Sequence, residues 1–160
     1  MDAVLESLLM QIHLALGWPE RAEIAGLLHP FYSANTGKIK FKKPDGTIFT
    51  PNSAMSVQIG LILTSSRPLE DTAYGTYTPT TGVGHRVTVI VLIHDKNVLL
   101  DYNEVIRYTS RAHSVRFLGL DNDPIRTMSQ AGVDFEELSV YPVDLRGLML
   151  EVEVANHLSY

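Results

Sequence analysis

Residues 86–97 read RVTVIVLIHDKN, and this stretch decides the fold. Val89 to Ile93 is apolar and largely β-branched on both faces. Arg86 to His94 is therefore expected as a strand buried on both sides, central in its sheet. Asp95, Lys96 and Asn97 close it, and Asn97 stands where a helix N-cap belongs. Val98 to Phe117 reads as a long helix, with Val98, Tyr102, Val105, Ile106, Thr109, Ala112, His113 and Arg116 on one stripe. Arg107 and Arg111 lie one turn apart on a neighbouring face. Gly119 follows at the position of a C-cap.

Downstream, Leu120 to Gly132 reads as loop with a turn at Pro124. Phe135 to Tyr141 alternates as a half-buried strand, and Pro142 to Gly147 reads as a turn or bulge. Leu148 to Leu158 is expected as the last strand. Leu148, Leu150, Val152 and Val154 face one way, and Met149, Glu151, Glu153 and Ala155 the other.

Upstream, Ser56 to Leu63 alternates as a strand. Thr64 to Gly84 is rich in Ser, Thr, Pro, Gly and Tyr and reads as a long loop, longer than a hairpin connection of about 2–5 residues. Such loops are functional or disordered, and an arm carrying Tyr74 and Tyr77 that orders against a partner chain is the leading expectation. Ile39 to Lys43 and Thr47 to Thr50 flank Pro44-Asp45-Gly46, the signature of a small hairpin. Asp2 to Leu16 places Val4, Leu5, Leu8, Leu9, Ile12 and Leu16 on one helical face, and Gly17 stops it. Trp18 and Pro19 open a short second helical piece ending near Gly26, with Trp18 expected as a core anchor.

These elements make one domain over residues 1–160, with no internal repeat and no dividing linker. The fold class is α+β: a mostly antiparallel sheet with one long helix packed across it, an N-terminal helix and a small β-hairpin.

Composition limits what the chain does. Its 160 residues are 45% hydrophobic and 19% charged, ordinary for a globular domain. The net charge of −5 argues against a dedicated nucleic-acid binder. With no Cys, thiol chemistry, disulfides and iron–sulfur clusters are excluded. The first Lys or Arg is Arg21, unlike the basic start of a secretory signal, and no aliphatic run approaches a membrane span. The expectation is a product that stays in the cytoplasm or joins an assembly there.

No motif for catalysis or cofactor binding emerges. His13, His29, His85, His94, His113 and His157 are scattered, with no i,i+4 pair on a helix. Asp121-Asn122-Asp123 begins like a calcium loop, but the required Gly and Glu positions hold Arg126 and Gly132. Gly82 and Gly84 precede a strand rather than a helix, so they do not form a phosphate loop. No catalytic residue, metal or cofactor is assigned.

Charged faces remain. Lys38, Lys40 and Lys42 alternate with Ile39 and Phe41, beside Lys43. This arm is either an anion-facing patch or an edge strand protected by lysines, and the acidic balance favours the second. Glu151 and Glu153 make an acidic stripe on the last strand, while Arg107, Arg111 and Arg116 make a basic one on the long helix. Opposite charges on one chain allow head-to-tail pairing of copies, which makes rings when the rotation closes. The other possibility is that both are solvated faces of a monomer.

The order of elements resembles a known family. The N-terminal helix, the strand running into LIHDKN (Leu92–Asn97), the long helix, and then two strands finishing YPVDLRGLMLEVEV (Tyr141–Val154) look like the tail terminator proteins of long-tailed bacteriophages, with their neck and connector relatives. The resemblance covers Arg86 to Leu158 best and Asp2 to Leu16 more loosely. It implies a non-enzymatic virion protein assembled in the host cytoplasm. Six copies would ring the end of the tail tube and meet the tube protein and the neck or connector proteins, with DNA passing only through the lumen. Arg107, Arg111, Arg116, Glu151, Glu153, Tyr74 and Tyr77 are the expected contact residues. The alternatives are a head-completion or connector protein, a small hydrolase or ligand-binding domain with a loop lid, and a nucleic-acid module using the lysine arm.

Overall fold

Leu5, Leu8, Leu9, Ile12 and Leu16 are all buried, as the helical spacing requires, on helix α1 (Asp2–Ala15) and the residue just beyond it. The computed structural model describes residues 2–35, 37–69, 80–121 and 144–157. Helix α1 ends where Gly17 and Trp18 both take positive φ, 87° and 54°. This left-handed turn swings the indole outward, so Trp18 is 54% exposed, its ring 4.9 Å from that of His13. The expected core anchor is therefore a surface residue.

The second helical piece does not form. Ala22–Leu27 is strand β1, which pairs in parallel with strand β4 (Val57–Leu69), from Ala22 opposite Val57 to Leu27 opposite Leu61. A helix this short is marginal on its own, whereas β4 offers it a ladder of hydrogen bonds.

The Pro44-Asp45-Gly46 turn is present. Gly46 N–H donates to Lys43 O, and Lys43 N–H donates to Thr47 O at 2.8 Å. Its second arm is reduced to one bridge, Lys42 with Ile48. The main partner of strand β3 (Lys38–Lys42) is instead strand β2 (His29–Ser33), an antiparallel pairing that lies upstream of the turn.

The polar stretch from Thr64 is also corrected. Strand β4 continues to Leu69 through a bulge between Leu63 and Ser65, and strand β5 (Thr80–Ile93) begins well before Gly84. Both arms are strand although their side chains are polar, because they extend beyond the apolar core and pair with each other. Tyr74 and Tyr77 lie outside the described residues.

The long helix is shorter than its periodicity suggests. Helix α2 spans Tyr102–Ala112, and its N-cap is Asp101, not Asn97; the Asp101 carboxylate accepts from Asn103 N–H at 2.9 Å. Ser114–Asp121 is strand β6, so Arg116 lies on a strand, and Gly119 (φ 148°) sits at a bulge rather than a cap. Val115 and Phe117 alternate with Arg116 at period two, which fits an edge strand once a neighbour is available. The expected Phe135–Tyr141 strand lies outside the described residues, as does the loop after Asp121. Strand β7 (Asp144–His157) starts inside the expected turn.

The five-stranded sheet has the order β1-β4-β5-β7-β6, with every pair antiparallel except β1–β4. The α+β class, the mostly antiparallel sheet and the N-terminal helix are as expected, and the expected long helix is the short α2. Val57, Ile59, Leu61, Val87, Val89, Val91, Leu148, Leu150 and Val152 face the helices in one core. On the opposite face Ile90 and Leu92 pack with Ala25, Leu28, Phe41 and Phe49 in a second core. Arg86 to His94 is buried on both sides only where this second cover reaches, at Ile90 and Leu92.

Candidate interaction surfaces

Beyond the second core, the same sheet face carries charge. Register places Ser65, Arg86, Glu151 and Arg116 in one row across β4, β5, β7 and β6. The next row holds Arg67, Gly84, Glu153 and Ser114. The bulge after Leu63 sets these rows, because it turns Arg67 onto the face that Arg86 and Glu151 share.

Glu151 is only 1% exposed, while Arg67 and Arg86 above it are 52% and 53% exposed. Arg67 donates Nη2–H to Oε1 at 2.8 Å and Nε–H to Oε2 at 3.2 Å, and Arg86 adds Nε–H to Oε2 at 3.3 Å. A two-point guanidinium–carboxylate pair of this kind fixes both planes. The Arg67 hydrogen bonds hold the Glu151 carboxyl below its ordinary pKa despite burial, and Arg86 adds to the effect. Glu151 in turn raises Arg67. The acidic stripe expected on the last strand is thus corrected. Glu151 is spent on two arginines of its own chain, and Glu153 accepts from Ser114 Oγ at 3.3 Å. Arg116 stands opposite Glu151 on the edge strand, exposed.

The basic stripe on helix α2 is reduced as well. Arg107 donates to Glu104 at 2.6 Å, which raises its pKa, and its guanidinium lies 5.1 Å from the Tyr108 ring. Arg111 lies over the same ring at 5.8 Å. Along the lysine arm, Lys38 pairs through its backbone with Ser33, and its side chain lies outside the described residues. Lys40 is half-buried, and Lys42 is exposed with its ammonium 4.6 Å from the Phe31 ring.

At the opposite edge of the sheet, a groove of about 440 Å³ runs between α1, β1 and the Pro44 turn. Leu9, Met10, Ile24 and Ala25 form its apolar part, and Glu6, Glu23, Asp45 and Lys43 its charged part. Thr47 donates to Asp45 through Oγ1 at 2.6 Å and through its N–H at 2.9 Å, which keeps that carboxyl below its ordinary pKa. Glu23 accepts from Gln58 Nε2 at 3.3 Å. Neither this groove nor the Arg67–Arg86 pair was singled out by sequence reasoning. Arg67 stood within an apparent loop, and only strand register brings it to Glu151, 84 positions away.

Three of the histidines serve separate local bonds. His94 Nε2 lies 2.8 Å from buried Gln58 Oε1 in a partly buried network that also takes Asn52 N–H, and partial burial lowers the His94 pKa. His85 Nδ1 meets Ser66 Oγ at 2.7 Å, and His113 Nε2 meets Ser7 Oγ at 2.9 Å. Among the described residues no three His, Asp or Glu side chains converge as metal ligands. No family model, curated protein or solved structure matches this chain.

Proposed function

We propose that this chain is a structural virion protein of a tailed bacteriophage, a tail terminator without catalytic activity. In this reading six copies form a ring that caps the tail tube and meets the neck. The supporting observation is the order of elements. An amphipathic N-terminal helix comes first, and central strand β5 runs into Asp95–Asn97. A helix follows, packed on the sheet, and β7 passes through Gly147 to close it. The resemblance to terminator and neck proteins rests on a similar order, in which the helix is long and two strands follow it; helix α2 is shorter, at Tyr102–Ala112. The mechanism is interface physics: a ring presents complementary surfaces to the last layer of tube and to the neck, and buried contacts offset the entropy of ordering any segment on docking.

Electron microscopy of particles assembled without this protein tests the reading. Overlong or unfinished tubes support a terminator. Normal tails detached from filled heads point to a neck or connector protein instead. Normal, complete particles overturn both.

A further inference from the structure

We infer that copies of this chain associate head to tail, with the arginine face at one end of the sheet docking on the acidic groove at the other. The inference rests on the ring reading and moves its contacts to residues that reading had not assigned.

Among the described residues both surfaces carry an excess of one sign. The arginine face sets Arg67, Arg86 and Arg116 against Glu151 and Glu153. The groove sets Glu6, Glu23 and Asp45 against Lys43. They cannot neutralise each other within one copy. Strand β1 borders the groove where Ile24 pairs with Ile59, and Arg67 lies eight residues further along β4, about 26 Å away, with Arg86 and Arg116 on strands beyond it. A second copy brings the two together, and because the two patches differ, the contact is of the kind that propagates into rings.

The arginine face is also organised in advance. Buried Glu151 occupies the inner donors of Arg67 and Arg86 and orients both guanidiniums, and among the described residues no other carboxylate pairs with their remaining N–H groups. Side chains fixed before docking lose less entropy on association. Side chains, rather than sheet extension, must make this contact. Each edge strand carries a bulge, at Ile24/Gly26 in β1 and at Phe117/Gly119 in β6, and Pro44 stands against Gly26. Such bulges blunt edge-to-edge pairing.

The test uses two full-length variants. E6K with E23Q disables the groove. R86Q with R116A disables the arginine face, leaving Arg67 in place to satisfy Glu151. Sedimentation of the wild type at about 0.5 mM chain should show oligomers, with the dissociation constant weakening about tenfold or more between about 50 mM and about 500 mM salt. Each variant alone should be monomeric. Their equimolar mixture should give dimers and nothing larger, because one intact surface of each kind remains. A variant that assembles like wild type, a mixture without dimers, or a wild-type chain that stays monomeric overturns the inference. If a variant misfolds by its melting curve, the wild-type salt series decides, and salt-independent oligomers overturn it. Rings unchanged in both variants would sink this contact and leave the tail-terminator reading standing. Normal particles lacking the protein, with the mixed dimer still formed, would do the reverse.

Discussion

Arg67 and Glu151 are 84 positions apart in the chain and meet in a two-point ion pair, at 2.8 and 3.2 Å, on a sheet face that the second core leaves open. The pair ties the far end of β4 to β7 across β5. Glu151 is the buried member and Arg67 is half-exposed, so the costly loss is the one that leaves the carboxylate without its two-point partner. Arg67→Gln should lower Tm by about 5–10 °C. In a double-mutant cycle with Glu151→Gln, measured by thermal unfolding, removing Arg67 should cost much less than it does alone. Additive losses would show the pair to be uncoupled.

A half-buried histidine and a buried glutamate set the acid response in different windows. The folded pKa of His94 lies below its unfolded value of 6.5, so the unfolded chain binds the extra proton first. Its contribution is complete above about pH 6.5 and is lost as pH falls toward the folded pKa. Glu151 is likewise depressed, so its contribution holds above about pH 4.3 and is lost as pH falls further. Urea unfolding against pH should therefore show stability declining in two stages. His94→Gln should flatten the first stage and leave the second; an unchanged slope between pH 5 and 6.5 would count against it.

Gly60 lies where β4 passes beneath Leu28. A Cβ there would stand 2.7 Å from Leu28 Cδ1 and 3.2 Å from its Cγ, and Leu28 is buried. Gly60→Ala should cost about 1–3 kcal/mol in chemical denaturation. Shortening the obstacle with Leu28→Val should recover part of that loss in the double variant, although Leu28→Val is destabilising alone.

The start of helix α2 is a further point of measurement. Asp101→Ala removes the acceptor for Asn103 N–H and should cost about 1 kcal/mol. Asn97→Ala, at the cap expected from sequence, should cost a few tenths at most. The opposite ranking would move the helix boundary back upstream.

Periodicity was legible where one face meets a core. Helix α1, the alternation of Leu148, Leu150 and Val152, and the α+β class follow from apolar spacing alone. It misled where a strand outruns the core. Thr64 to Leu69 looks like loop because polarity resembles irregularity, and Ser114 to Phe117 looks like helix because His113 and Arg116 extend the stripe of α2 by coincidence. The charged surfaces were hidden for a related reason. Glu151 and Arg116 could be named from sequence, but the depth of one and the neighbours of both depend on register, which passes through the bulge after Leu63.

The parallel pairing of β1 with β4 also governs the order in which the chain acquires structure. During synthesis α1 and β1 leave the ribosome ahead of the strand that β1 needs, which lies some thirty residues downstream, beyond the β2–β3 ribbon. Strands β4 and β5 pair with a nearby neighbour and are suited to form early. Pulse-labelled hydrogen exchange during refolding should then protect amides of Ile59 to Leu63 and Val87 to Val91 ahead of those of Ala22 to Leu27. The nascent N-terminal segment, with its row of leucines uncovered in the meantime, is where a holding chaperone would be needed most.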